Sequence, residues 1–210
     1  LSLKERVERA LQSYMLHHLE ENKEACDAIV SMYAAKVIEK ETNGRKRRYV
    51  KLVARNGSEV LADSHQFPCR PWEICGRMFD VLRRVSKQGN ERAADIVVSQ
   101  KRVDEVFSVE VGYVDFVDEN HGHIHVYDSQ SRHFVALKSV HSALNITAGS
   151  YVRFCPIIAN GDHFKWAAIV GLMDKYEGRN AFGVYDAKVE YANPKEKYIR
   201  YSLESAIKYT

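Results

Sequence analysis

The sequence has no apolar run approaching the roughly 20 residues that a bilayer helix requires. Its first residues, Leu1 to Arg9, alternate charged and apolar groups. They form neither a secretory hydrophobic stretch nor a small-residue cleavage site, so a cytoplasmic chain with no membrane partner is expected. Cysteine is scarce: Cys26, Cys69, Cys75 and Cys155 match neither a dense disulfide scaffold nor a Cys-x-x-Cys zinc knuckle, and free buried thiols are expected. No Gly-rich phosphate loop, no nucleophile elbow with a Ser, His, Asp order and no Asp-Glu-Lys nuclease spacing stands out. The balance leans away from an enzyme, and no cofactor is expected. Internal repeats and low-complexity tracts are also missing. A net charge of +3 fits nucleic-acid binders and many enzymes alike, so charge has to be read where it clusters.

What is present is an ordinary globular balance, 45% apolar and 28% charged, in a chain long enough for one or two domains. From Leu3 to about Val37 the apolar residues recur at helical spacing (Leu3, Val7, Leu11, Met15, Leu19, then Ile29, Met32, Tyr33), with a split expected at Asn22. The dipeptides Asn43-Gly44 and Asn56-Gly57 then signal two hairpin turns, because both central residues of such a turn take positive φ. They predict a three-stranded meander over Ala35–Thr42, Arg47–Arg55 and Glu59–Asp63. Beyond Pro68 and Pro71, Trp72 to Val85 reads as an amphipathic helix whose Trp72 and Phe79 pack in a core. The segment Glu91 to Glu105 is ambiguous, its Ala94, Val97 and Val98 suiting a short helix.

From Val106 the apolar period changes from 3.6 to 2, and Asn160-Gly161 marks another hairpin between the last two strands of the stretch. The tail reads as a hairpin of Ala181–Tyr191 and Lys197–Leu203 turned by Asn193-Pro194. The fold class expected is therefore α+β, divided into an α+β domain at 1–105, a five-stranded barrel at 106–173 and a hairpin extension at 174–210. The tail aromatics Phe182, Tyr185, Tyr191, Tyr198 and Tyr201 would dock that hairpin on the barrel or on a protein partner.

Six short motifs lie in order within the period-2 stretch: Gly112-Tyr113-Val114-Asp115-Phe116-Val117, His121-Gly122-His123-Ile124-His125-Val126, His133-Phe134-Val135-Ala136-Leu137, Ser142-Ala143-Leu144, Gly149-Ser150-Tyr151-Val152-Arg153-Phe154 and Ala167-Ala168-Ile169-Val170. Their order and spacing resemble the cold-shock domain, a branch of the OB-fold. The resemblance implies non-catalytic binding of single-stranded RNA or DNA, with bases stacked on flat side chains at roughly 1–3 kcal/mol each. The sequence departs from the family where Phe116 replaces its Trp, His123 and His125 its two ring residues, Ala136 its His, Leu137 its second Phe and Ile124 its small Gly. Asp115, Asp118 and Glu119 stand where lysine is common in the family. The stacking platform is thinner as a result.

Alternation assigns the faces: with Ile124 and Val126 inside the barrel, His121, His123 and His125 point out, and Phe134 points out with Ala136 if Val135 is inside. The platform expected is Phe116, His123, His125 and Phe134. Protonated imidazole also attracts phosphate, so binding is expected to strengthen as pH falls through about 6.5. A second cluster, Arg45, Lys46, Arg47 and Arg48, follows the first hairpin turn and would supply phosphate contacts, or else be a solvated turn. Two other readings use the same residues. A His-x-His-x-His strand could hold a metal through His121, His123 and His125, or a degenerate barrel could serve as a structural or protein-interaction module.

Overall fold

The computed structural model describes residues 4–11, 29–42, 44–85, 91–161, 163–183 and 187–203. A helix at 4–11 (α1) precedes a five-stranded antiparallel sheet of β1 (Ile29–Thr42), β2 (Arg45–Ala54), β3 (Glu59–Asp63), β4 (Met78–Val85) and β5 (Glu91–Val98). One helical turn, α2 (Val103–Val106), leads into β6 (Glu110–Asp118), β7 (His123–Asp128), β8 (His133–Leu137), β9 (Tyr151–Ile158) and β10 (Lys165–Leu172), which close into a barrel. Helix α3 (Lys175–Phe182) and a hairpin of β11 (Ala187–Asn193) and β12 (Tyr198–Leu203) follow. This is the α+β architecture expected, with meander, closed barrel and C-terminal hairpin. Among the described residues no helix is long and apolar enough to cross a membrane.

Three segments with helical spacing form strands. From Ile29 onward the helical spacing is overturned by β1, because this strand is buried on both sides. Met32 and Ala34 enter one apolar core while Tyr33 and Ala35 enter another. A strand covered on both faces shows an unbroken apolar run, which periodicity alone does not distinguish from a helix. The split expected at Asn22 lies outside the described residues. The helix expected over Trp72–Val85 is a short 3-10 turn at Pro71–Glu73 followed by β4. Phe79 packs in the core as expected, whereas Trp72 is 75% exposed, with the Arg70 guanidinium 5.5 Å from its ring centroid. Glu91–Val98, where Ala94, Val97 and Val98 suggested a short helix, is also a strand, and the helical turn α2 comes only after it.

The sheet runs β3-β2-β1-β4-β5, and the barrel runs β8-β7-β6-β9-β10 before closing β10 on β8 through the parallel pair Trp166 and Val135. Numbered within each unit, the order is the same: third, second, first, fourth, fifth. In the sheet, β3 and β5 approach across an open seam, where the Gln66 side-chain amide donates to the Ala93 carbonyl at 3.2 Å. The closed barrel has the strand order of an OB-fold, and the N-terminal sheet repeats that order without full closure.

Among the described residues, three apolar layers hold the molecule together. One fills the sheet around Leu52, Phe79 and Ile74, and one fills the barrel around Val114, Ile124, Phe134 and Phe154. The third joins the two units, with Tyr33, Val53 and Met78 of the sheet against Val135, Cys155, Ile157 and Trp166 of the barrel. Fully burying one such large apolar side chain is worth roughly 1.5–3 kcal/mol. The joint is reinforced at Gly57, whose φ of +82° forms the β2–β3 turn. Its carbonyl accepts the Asn160 amide at 2.9 Å, and an added Cβ would lie 2.3 Å from the Asn160 side chain. Glycine thus satisfies both the turn and the close approach.

Candidate nucleic-acid interface

The barrel face formed by β6, β7 and β8 carries the histidines. Along β7, Ile124, Val126 and Asp128 are buried, so alternation turns His123, His125 and Tyr127 outward, as expected for the two histidines. A register shift between Val114 and Phe116 brings Phe116 opposite His125. The two rings stack at a centroid distance of 3.9 Å with 12° between their planes. His125 then lies nearly parallel to His133 of β8, with 7° between planes and Nδ1 of His125 2.9 Å from Nε2 of His133. Tyr127 leans on His133 at 5.0 Å. Phe116, His125 and His133 thus form three near-parallel rings across three strands, with Phe116 45% exposed at one end and His133 exposed at the other.

Phe134 does not belong to this platform. It is 0% exposed and packs inside the barrel against Phe154 at 5.1 Å, and Ala136 is also buried. The pairing explains the reversal: Phe134 lies opposite Val126 and Ala136 opposite Ile124, and directly opposed residues share a face. Val135 points outward instead, under the N-terminal sheet. His133 takes the place that the sequence assigned to Phe134. The signal for it was the length of the β7–β8 turn, where Ser131 takes a φ of 60°. A one-residue error in a turn moves every side chain of the next strand to the other face.

His125 is poised between stacking and hydrogen bonding. One of its Nδ1 and the His133 Nε2 must donate to the other, and the remaining nitrogen, His125 Nε2, is shielded from solvent with no partner among the described residues. Burial, then His133 and His123, push the His125 pKa below the ordinary histidine range against the opposing pull of Asp118 and Asp115. This ring is therefore neutral near pH 7. Any binding gained from protonating it comes at lower pH than the 6.5 expected from the sequence.

The acidic residues beside the platform are mostly engaged. Asp118 accepts the amides of Asn120 and His121 and the His121 Nδ1 at 2.7 Å, closing the β6–β7 turn. Those bonds from the His121 side chain and amide hold its carboxyl below the usual range. Glu119 pairs with Lys138. His121, His123 and His125 do not converge: successive ring centroids are 6.3 and 6.4 Å apart. Among the described residues no group of three or more His, Cys, Asp or Glu side chains is arranged to hold a metal ion.

Arg45, Lys46, Arg47 and Arg48 are all exposed on the ribbon of β1 and β2, which extends beyond the end of β3. They border a groove of about 730 Å³ together with Glu39, Asp63, Ser64, His65 and Pro71. Arg48 pairs with Glu39 at 2.9 Å. These four cations belong to the sheet unit and stand apart from the ring platform of the barrel. Of the expected free buried thiols, Cys69, Cys75 and Cys155 are free, but only Cys155 is buried and Cys69 and Cys75 are half-buried; desolvation pushes Cys75 and Cys155 up to about 11. Cys26 lies outside the described residues.

No family model matches the chain, and no curated protein matches it. Among solved structures it is similar to one described as the crystal structure of the Ifi202 HINa domain in complex with 20bp dsDNA. The identity is 8% and the TM-score 0.26, over 66% of this chain and 90% of that chain.

Proposed function

We propose that the protein binds single-stranded nucleic acid, RNA or DNA, without catalysis. The barrel face of Phe116, His123, His125 and His133 receives the bases, and the basic ribbon of β1 and β2 contacts phosphates. The observation that carries this reading is the row of near-parallel rings, open at Phe116 and His133, with a shielded and unpartnered His125 Nε2 within it. A base stacked on either end continues the row, and flat faces accept any base, so sequence preference is expected to be modest. The second and third strands of an OB barrel are also a general oligonucleotide-binding face.

Fluorescence anisotropy with an unstructured oligonucleotide of about 15 nucleotides tests the reading, within the site sizes known for such folds. Phe116→Ala combined with His125→Ala is expected to weaken binding by roughly 10-fold or more, because a lost stack is worth about 1–3 kcal/mol. Phe134→Leu, inside the barrel, is expected to leave affinity within about twofold as long as the fold is intact, since it removes no outward ring. An affinity that ignores the double substitution would remove the platform.

A further inference from the structure

We propose that the protruding β1–β2 ribbon binds the nucleic-acid backbone on only one of its two faces, that of Lys40, Arg45, Arg47 and Tyr49. From there it guides the strand past Lys36 and Phe164 onto the barrel. This rests on the single-strand reading above and divides its basic cluster into two cations that bind and two that do not.

The register makes the division. Ile38 lies opposite Tyr49, Lys40 opposite Arg47 and Thr42 opposite Arg45; Glu39 lies opposite Arg48 and Glu41 opposite Lys46. Directly opposed residues share a face and the next pair belongs to the other face. One side of the ribbon therefore alternates acids with cations and is internally balanced, with Glu39 and Arg48 joined at 2.9 Å. The other side presents Lys40, Arg45 and Arg47 around Tyr49, with Lys40 Nζ 6.0 Å from the ring centroid. Among the described residues no carboxylate pairs with these three cations. Asp63 is the acid nearest to them in register, opposite Tyr49, and it is committed to the His65 amide at 3.0 Å.

Like charges placed directly opposite on a two-stranded ribbon destabilise it. Lys40 facing Arg47 brings no gain to the fold, whereas a phosphodiester chain laid along that side would neutralise both. Below Lys40 the same face continues to Lys36, whose Nζ lies 5.4 Å from the Phe164 ring and 5.6 Å from the Trp166 ring. Phe164 is 59% exposed. Trp166 of β10 pairs in parallel with Val135 of β8; Phe164 stands just ahead of β10, two residues before Trp166 and with its ring 6.2 Å from that of Trp166, and His133 stands two residues before Val135. His133 is the open end of the ring row. Cations and rings thus follow one another from the ribbon tip to Phe116, the arrangement that tracks an unpaired strand.

The test compares two double substitutions that remove the same charge. Arg45→Ala with Arg47→Ala is expected to weaken binding of a single-stranded oligonucleotide of about 15 nucleotides roughly 10-fold. It should also flatten the log–log salt dependence by about 1.4, the value for two lost contacts on a single strand. Lys46→Ala with Arg48→Ala is expected to change both quantities little. Phe164→Ala should weaken the same oligonucleotide but not one of about 5 nucleotides, which the ring row alone can hold. Equal effects from the two ribbon pairs, or none from either, would overturn the one-sided track. The barrel reading would survive that outcome if Phe116→Ala with His125→Ala still reduced affinity. Absence of any single-strand binding by the unsubstituted protein would remove both.

Discussion

His141 is 8% exposed, and its Nε2 accepts the Ile169 amide at 3.4 Å. Burial pushes its pKa from 6.5 down to about 4, so it is neutral in the folded protein. The unfolded chain binds a proton near pH 6.5 that the folded chain refuses until about pH 4. Stability is therefore full above that window and falls through it on acidification, by up to about 3 kcal/mol from this group. His141→Gln is expected to flatten the fall in melting temperature between pH 6.5 and 4, measured by thermal unfolding across that range; an unchanged slope would place the titration elsewhere. Asp128 acts at lower pH. Burial opposes its ionisation, but bonds from the Arg132 amide and guanidinium and the Gln130 amide more than offset that and keep its pKa low. Gly112 shows how little space the barrel leaves, since an added Cβ would lie 2.4 Å from a Val126 methyl. Its place at the start of the first motif is thus a packing requirement.

Turns determined which elements were legible in sequence. Gly44 and Gly57 adopt the positive φ that their Asn-Gly dipeptides implied, whereas Asn56 does not, because the β2–β3 loop has three residues closed by Ala54 and Ser58; β2 and β3 stand within two residues of their expected bounds. Helix α3 was not foreseen, because its residues follow a strand pattern with no apolar stripe of their own. It is held from outside: Asp174 accepts the Tyr176 and Glu177 amides at 2.9 and 3.3 Å, and Phe182 packs near Tyr113 and Tyr151. Of the tail aromatics, Phe182 therefore docks on the barrel, while Tyr191 is 49% exposed. Tyr185 lies outside the described residues. Loss of an N-cap carboxylate costs about 1 kcal/mol. Asp174→Ala should accordingly speed amide exchange across Lys175–Phe182 several-fold without altering exchange in β7; uniform acceleration would argue against a locally capped helix.

The whole molecule is joined through the apolar layer of Tyr33, Met78, Cys155 and Trp166, so sheet and barrel each cover a surface the other leaves apolar. A single calorimetric transition is expected, and Met78→Ala should lower its midpoint while keeping it single. Two resolved transitions would show independent units. The sequence by itself determined the period-2 barrel, the meander turns and the outward direction of His123 and His125, because alternation and Asn-Gly chemistry act over a few residues. Tertiary structure alone decided that β1 is a strand buried on both sides, that Phe134 points inward, and that His133 completes the ring row. Each of those depends on register between strands, and register is fixed by which partner covers a face, a property no local pattern contains.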